Sequence, residues 1–122
     1  MPRPVLPESQ IHPAIRDRVA QLHHSTLDEV RQAVAAHPVV VVGMAGNPYV
    51  RKARKLLGAA GVSHHYLGYG SYLSQWRRRN AIKMWAGWPT LPMVFVNGVL
   101  VGGADDLAAL MRAGELDRLL KA

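Results

Sequence analysis

The fold class predicted by this sequence is α/β: a central mixed sheet of four strands flanked by helices, with a helical extension at the N-terminus. Three observations carry it. "VVVV" at 39–42 is an apolar run without alternation, which suits a strand buried on both faces of a sheet. Helical periodicity recurs on both sides of that run, and Asn97-Gly98 joins two short β-rich runs further on. With 122 residues, 49% hydrophobic and 19% charged, the chain has material for one packed core but not comfortably for two. We read residues 1–24 as an arm and helix, and 25–122 as the domain proper.

Residues 1–10 contain three prolines and no periodicity, so an extended surface arm is expected. Pro13 then stands where a helix can begin, and Ile11, Ile15, Val19 and Leu22 recur at helical spacing, predicting one inward apolar stripe. Ser25 and Asp28 form a start signal for a second helix with Leu27, Val30, Ala33 and Val34 facing inward, ended by Pro38. The valine strand follows and turns at Gly43. From Tyr49 to Ala60 the period is helical again: Val50, Ala53, Leu57 and Ala60 face in, Arg51, Lys52, Arg54 and Lys55 face out, and Gly61 marks the stop.

"SHHYLGYG" predicts a short second strand. "SYLSQWRRRNAIKMW" predicts a helix burying Leu73, Trp76, Ala81 and Met84 and ending at Gly87. "MVFVNGVLVGG" is a hairpin, because a type I′ turn needs positive φ at both central positions and Asn-Gly supplies it. The segment 104–120 closes the chain as one or two helices interrupted at Gly114. No internal repeat or low-complexity segment interrupts this order.

Composition narrows the chemistry. The chain has no cysteine, which removes disulfides, thiolate metal sites and cysteine nucleophiles together. Fifteen Lys and Arg against eight Asp and Glu give a formal charge of +7, a field that attracts anions of many kinds. No apolar run has signal-peptide length or approaches the roughly 20 residues that span a bilayer, so a cytoplasmic protein without a membrane partner is expected. His23 with His24 and His64 with His65 are adjacent pairs that point to different faces, so they read as surface or half-buried groups rather than metal ligands.

"GWPTLPMVFVNGVLVGGADDL", from Gly87 to Leu107, resembles the second half of the glutaredoxin family, its monothiol class above all: a W-P-T-x-P stretch, a hairpin, then a G-G-x-D turn opening a helix. "RNAIKMWAGWPT" extends the likeness, with Arg79, Ile82 and Lys83 at family positions and Trp85 where an aromatic is usual. "NPYVRKARKLL" looks like the dithiol active-site helix with its C-P-Y-C altered. The likeness runs from about Thr26 to Leu120 and implies a thioredoxin-like (glutaredoxin) fold.

The resemblance also implies a glutathione site. Tyr49 stands at its mouth. Leu91, before the expected cis-proline Pro92, would pair with the cysteine part of glutathione like an added strand, with Thr90 beside it. Backbone N–H groups at Gly103 and Ala104 would take the γ-glutamyl carboxylate and Asp105 its ammonium, while Arg79 would face the glycine carboxylate. The family activities implied are electron transfer and disulfide reduction within cell redox homeostasis.

Each assignment has a plainer alternative. Pro92 can be architectural, the glycines can simply turn a strand into a helix, and Asp105 can cap that helix, with Asp106 able to share the task. The departures are equally specific: Asn47 stands for the nucleophilic cysteine, Val50 for the resolving one, Met44 for a carboxylate-holding lysine and Ala104 for a third cysteine. Neither a mixed disulfide nor cysteine ligation of the family's [2Fe-2S] cluster is open to such a chain.

The reading is therefore a non-catalytic module that holds glutathione, a γ-glutamyl compound or an extended peptide without a covalent bond, and that requires no cofactor. Two alternatives stand beside it. One is a partner protein in redox or iron–sulfur homeostasis that ligates no cluster itself. The other is a weak binder of nucleic acid or acidic proteins through "RKARK" and "QWRRRN"; its nucleic-acid form is disfavoured, since such runs are usually solvated helix faces. Trp76, Trp85 and Trp88 either cover the sheet edge or form a patch for a protein partner.

Overall fold

A computed structural model describes residues 2–121. After a 3-10 turn at Glu8–Gln10, the elements are α1 (Pro13–Gln21), α2 (His24–Ala36), β1 (Val39–Gly43), α3 (Pro48–Ala59), β2 (His65–Gly68), α4 (Trp76–Ala86), β3 (Met93–Val96), β4 (Val99–Gly102), α5 (Ala104–Arg112) and α6 (Glu115–Lys121). The four strands form one mixed sheet in the order β2-β1-β3-β4, with β1 parallel to β2 and antiparallel to β3. Asn97 (φ 46) and Gly98 (φ 81) both take the positive φ of the expected hairpin turn between β3 and β4.

The valine run forms the central strand because both of its faces are covered. Val40 and Val42 pack with Val30 and Ala33 of α2, Ile82 of α4, and Met93 and Phe95 of β3. Val39 and Val41 face the other layer, among Ala53 and Leu57 of α3, Leu107 of α5 and Leu116 of α6. Each fully buried valine contributes on the order of 1.5–3 kcal/mol, so β1 anchors both layers of the core.

Two expectations fail where apolar period alone set the inward face. No residue of α1 is buried, and Ile15, Val19 and Leu22 are exposed rather than inward. The predicted helix at 71–85 begins only at Trp76, after a turn at Ser71–Ser74 and a left-handed Gln75. Ala81 is buried as expected, but Leu73, Trp76 and Met84 are exposed, and Arg79 and Ile82 take the inward positions.

Smaller differences follow the same logic. Ala60 is exposed at the end of α3. α2 starts at His24, so Ser25 lies inside the helix and does not cap it, while His24 contacts Asp28 at 3.5 Å. The three tryptophans do not cluster but border three separate cavities. The arm is tied to the domain by Arg3, whose Nη2 donates to the Trp85 carbonyl at 3.1 Å. Among the described residues no helix is long and apolar enough to cross a membrane.

Candidate functional site

The turn after β1 is built around Asn47. Its Oδ1 accepts hydrogen bonds from the Tyr49 N–H at 2.9 Å and the Val50 N–H at 3.1 Å, capping α3, and Pro48 occupies the first helical position. A side-chain cap of this kind stabilises a helix by about 1 kcal/mol. Asn47 is 8% exposed, and its amide serves the helix.

Val50 turns into the core at 3% exposure, against Gly43 of β1. A Cβ on Gly43 would lie 2.7 Å from Val50 Cγ1, so the branched side chain fits only because the facing residue has none. Met44 is likewise a core residue, 6% exposed, and offers no cation to a ligand.

Between the start of α3 and the start of α5 lies a cavity of about 340 Å³, lined by Tyr49, Trp88, Thr90, Leu91, Gly103, Ala104, Asp105 and Asp106. That volume is in the range of small-molecule sites. Six of the residues singled out in the sequence meet here. Tyr49 is half-exposed at the mouth. The Leu91–Pro92 peptide is cis, and the Pro92 carbonyl oxygen lies 3.6 Å from where a Gly103 side chain would begin.

The cap of α5 comes from Asp106, not Asp105: Asp106 Oδ2 accepts from the Gly103 N–H at 2.9 Å. This leaves Asp105 facing outward, where its Oδ1 accepts from Lys52 Nζ of α3 at 2.6 Å. Negative charge at 105 and 106 complements the positive end of the α5 dipole. The N–H groups of the first α5 turn, having no acceptor within the helix, provide donors for an anion. Carboxylates and helix N–H groups thus line one end of the cavity, with the Lys52 ammonium held on Asp105 beside it.

Arg79 lies outside this lining. It is 6% exposed, and its Nη1 donates to the carbonyl oxygens of Tyr69, at 2.8 Å, and Ser74. The sequence reading named Trp88, within the W-P-T-x-P stretch, and Asp106, as a second capping candidate, without assigning either to the groove, and it gave Lys52 only as part of an outward face; the buried Trp88 Nε1 has no partner among the described residues. For Trp88 and Asp106 the quoted motifs were the available signal. Lys52 had none, because it reaches Asp105 only through the packing of α3 against α5.

The donor set does not fit a cysteine-ligated iron–sulfur cluster. Position 47 offers an amide oxygen already holding two backbone N–H groups, and no group of three or more His, Asp or Glu side chains among the described residues has metal-site geometry. The His64–His65 pair is engaged locally: His65 stacks on His37 with ring centroids 4.1 Å apart, and His64 Nε2 accepts from Arg54 Nε at 3.3 Å.

No known family profile matches the chain. Individual proteins do. A "Glutaredoxin-like protein" of Dictyostelium discoideum is 46% identical over 107 residues, spanning 88% of this chain and 87% of that one. "Monothiol glutaredoxin-5, mitochondrial" of Schizosaccharomyces pombe is 33% identical over 88% of this chain and 77% of its own length. Among solved structures, a buckwheat glutaredoxin–glutathione complex superposes with a TM-score of 0.73 at 25% identity, covering 83% of this chain and 92% of that one. Oxidized glutaredoxin 2 from Chlamydomonas reinhardtii gives a TM-score of 0.69 at 30% identity, covering 81% and 94%.

Proposed function

The chain belongs to the glutaredoxin family, and from that premise we propose that it is a redox-inactive binding module whose α3/α5 groove holds glutathione, or an extended γ-glutamyl or peptide ligand, without forming a covalent bond. The observation that carries this reading is the lining of the groove. Tyr49, Thr90, Leu91 and Gly103–Asp105 converge on one cavity although the chain has no cysteine. The similar buckwheat protein was solved as a complex with glutathione, which supports the choice of ligand.

The chemistry of the residues grades the two ends of such a ligand. Around α5, the first-turn N–H groups would accept a carboxylate, and Asp105 would accept hydrogen bonds from an ammonium once Lys52 is displaced from it. At the other end Met44 is buried and Arg79 bonds backbone carbonyls, so the glycine carboxylate gains little there. Binding is therefore weak and directed by the γ-glutamyl head, and no thiol–disulfide turnover accompanies it, since exchange needs an attacking thiolate.

Calorimetry with reduced glutathione tests the reading. Saturable binding that Asp105→Ala weakens is the expected result; no heat at millimolar ligand overturns it.

A further inference from the structure

The apolar stripe of α1 is left uncovered by its own fold. Ile15, Val19 and Leu22 are 39%, 49% and 49% exposed. A helix of 9 residues is too short to be stable in water by itself, and this one buries no residue in the domain behind it. The stripe continues onto α4 across a cavity of about 360 Å³, lined among others by Leu22, Trp76, Ala81 and Met84. Trp76 is 52% and Met84 62% exposed. The C-terminal end of α1 and the outer face of α4 thus meet at one open apolar cavity, and faces of this kind on soluble domains mark interaction sites.

Its rim is predominantly cationic. α4 carries Arg77, Arg78 and Lys83 outside the buried Arg79, with no carboxylate, while α1 adds Arg16 and Arg18 against the single Asp17. Among the described residues, Arg16, Arg18, Arg77 and Lys83 form no ion pair with a carboxylate. Arg77 lies over the Trp76 ring, 5.1 Å from its centroid. Cations in the first turn of α4 oppose its macrodipole, and an anionic neighbour offsets that repulsion. A second copy would bring the same cations together and add to a net charge of +7, so the rim selects against self-association.

We propose that the α1/α4 face docks a protein partner through an acidic amphipathic helix, with apolar residues seated between Leu22, Trp76 and Met84 and carboxylates on Arg18, Arg77 and Lys83. Trp76 is the anchor, an exposed aromatic beside a cavity. None of these residues lines the α3/α5 groove, so the docking face stands or falls independently of the ligand reading.

The test titrates the full chain with a synthetic helical peptide carrying a Leu stripe flanked by Glu, and with its twin in which Lys replaces Glu, followed by amide chemical shifts. The Glu peptide is expected to saturate, shifting resonances of Ile15–Leu22 and Trp76–Met84, and the Lys twin to leave them unmoved. Met84→Glu and Arg77→Glu should each weaken binding at least about tenfold, with melting temperatures unchanged because both sites are exposed. Equal binding of the two peptides, shifts confined to another surface, or wild-type affinity in both variants overturns the proposal. So does sedimentation with phosphatidylserine vesicles in place of peptide binding, which would assign the face to an anionic membrane.

Discussion

Gly43 of β1 and Val50 of α3 share one space: a Cβ on the glycine would meet the valine Cγ1 at 2.7 Å and its Cγ2 at 3.1 Å. The pair joins the strand to the start of the helix, where packing at Val50 and the Asn47 cap together fix the backbone beside the groove.

Overpacking at this contact has a measurable cost. Gly43→Ala is expected to destabilise the protein by about 1–3 kcal/mol. In a Val50→Ala background the same change should cost less, because both offending methyl groups are gone. The double-mutant cycle in urea should give a coupling of at least about 0.5 kcal/mol, and strict additivity contradicts the shared-space assignment.

Asn47 should behave as a cap. Asn47→Ala is expected to lower stability by about 1 kcal/mol, while Asn47→Asp, which keeps the acceptor, should hold it near wild type. Asn47→Cys addresses chemistry instead: a thiol at a helix N-terminus has a lowered pKa. Mass spectrometry should then detect a mixed disulfide with oxidised glutathione that the wild-type chain never forms.

The Lys52–Asp105 ion pair is exposed on both sides, 49% and 75%, and such pairs add little stability. Lys52→Met should leave the melting temperature unchanged and free Asp105 for a ligand ammonium. Glutathione affinity by calorimetry is expected to rise several-fold; a fall would mean that Lys52 itself contacts the ligand.

Acid should loosen the β2 end of the sheet. Burial, and then the neighbouring Arg54, hold the His64 imidazole below its ordinary value, against a smaller opposing hydrogen bond at Val62. The unfolded chain therefore takes up this proton first, and stability falls as pH drops below about 6.5. Thermal melts across that range should show the slope, and His64→Gln should flatten it.

Alkaline conditions act on Tyr69. Its hydroxyl donates to Glu29 Oε1 at 2.6 Å, and burial, together with that carboxylate, pushes the phenol above its ordinary value. Its contribution is complete below about pH 10 and is lost as pH rises further, because the unfolded tyrosine ionises first. In a spectrophotometric titration one tyrosine should ionise after the others, and Tyr69→Phe should remove that late step.

Sequence by itself determined the parts whose cause is local or covalent. The absence of cysteine ends thiol chemistry in any fold, Asn97-Gly98 turns the hairpin because both residues tolerate positive φ, and "VVVV" is central because only a strand covered on both faces can carry it. The quoted motifs identified the family and most of the groove lining. Tertiary structure decided what depends on elements far apart in the chain. Which face of α1 and α4 meets the core cannot be read from period alone, since a periodic stripe marks a potential interface without saying whether its own domain covers it. The same holds for Lys52 and Asp105, 53 residues apart, and for the division between Asp105 and Asp106. Two neighbouring carboxylates are alike in sequence, and only the path of the backbone at Gly103 turns one onto its own helix and leaves the other to the groove.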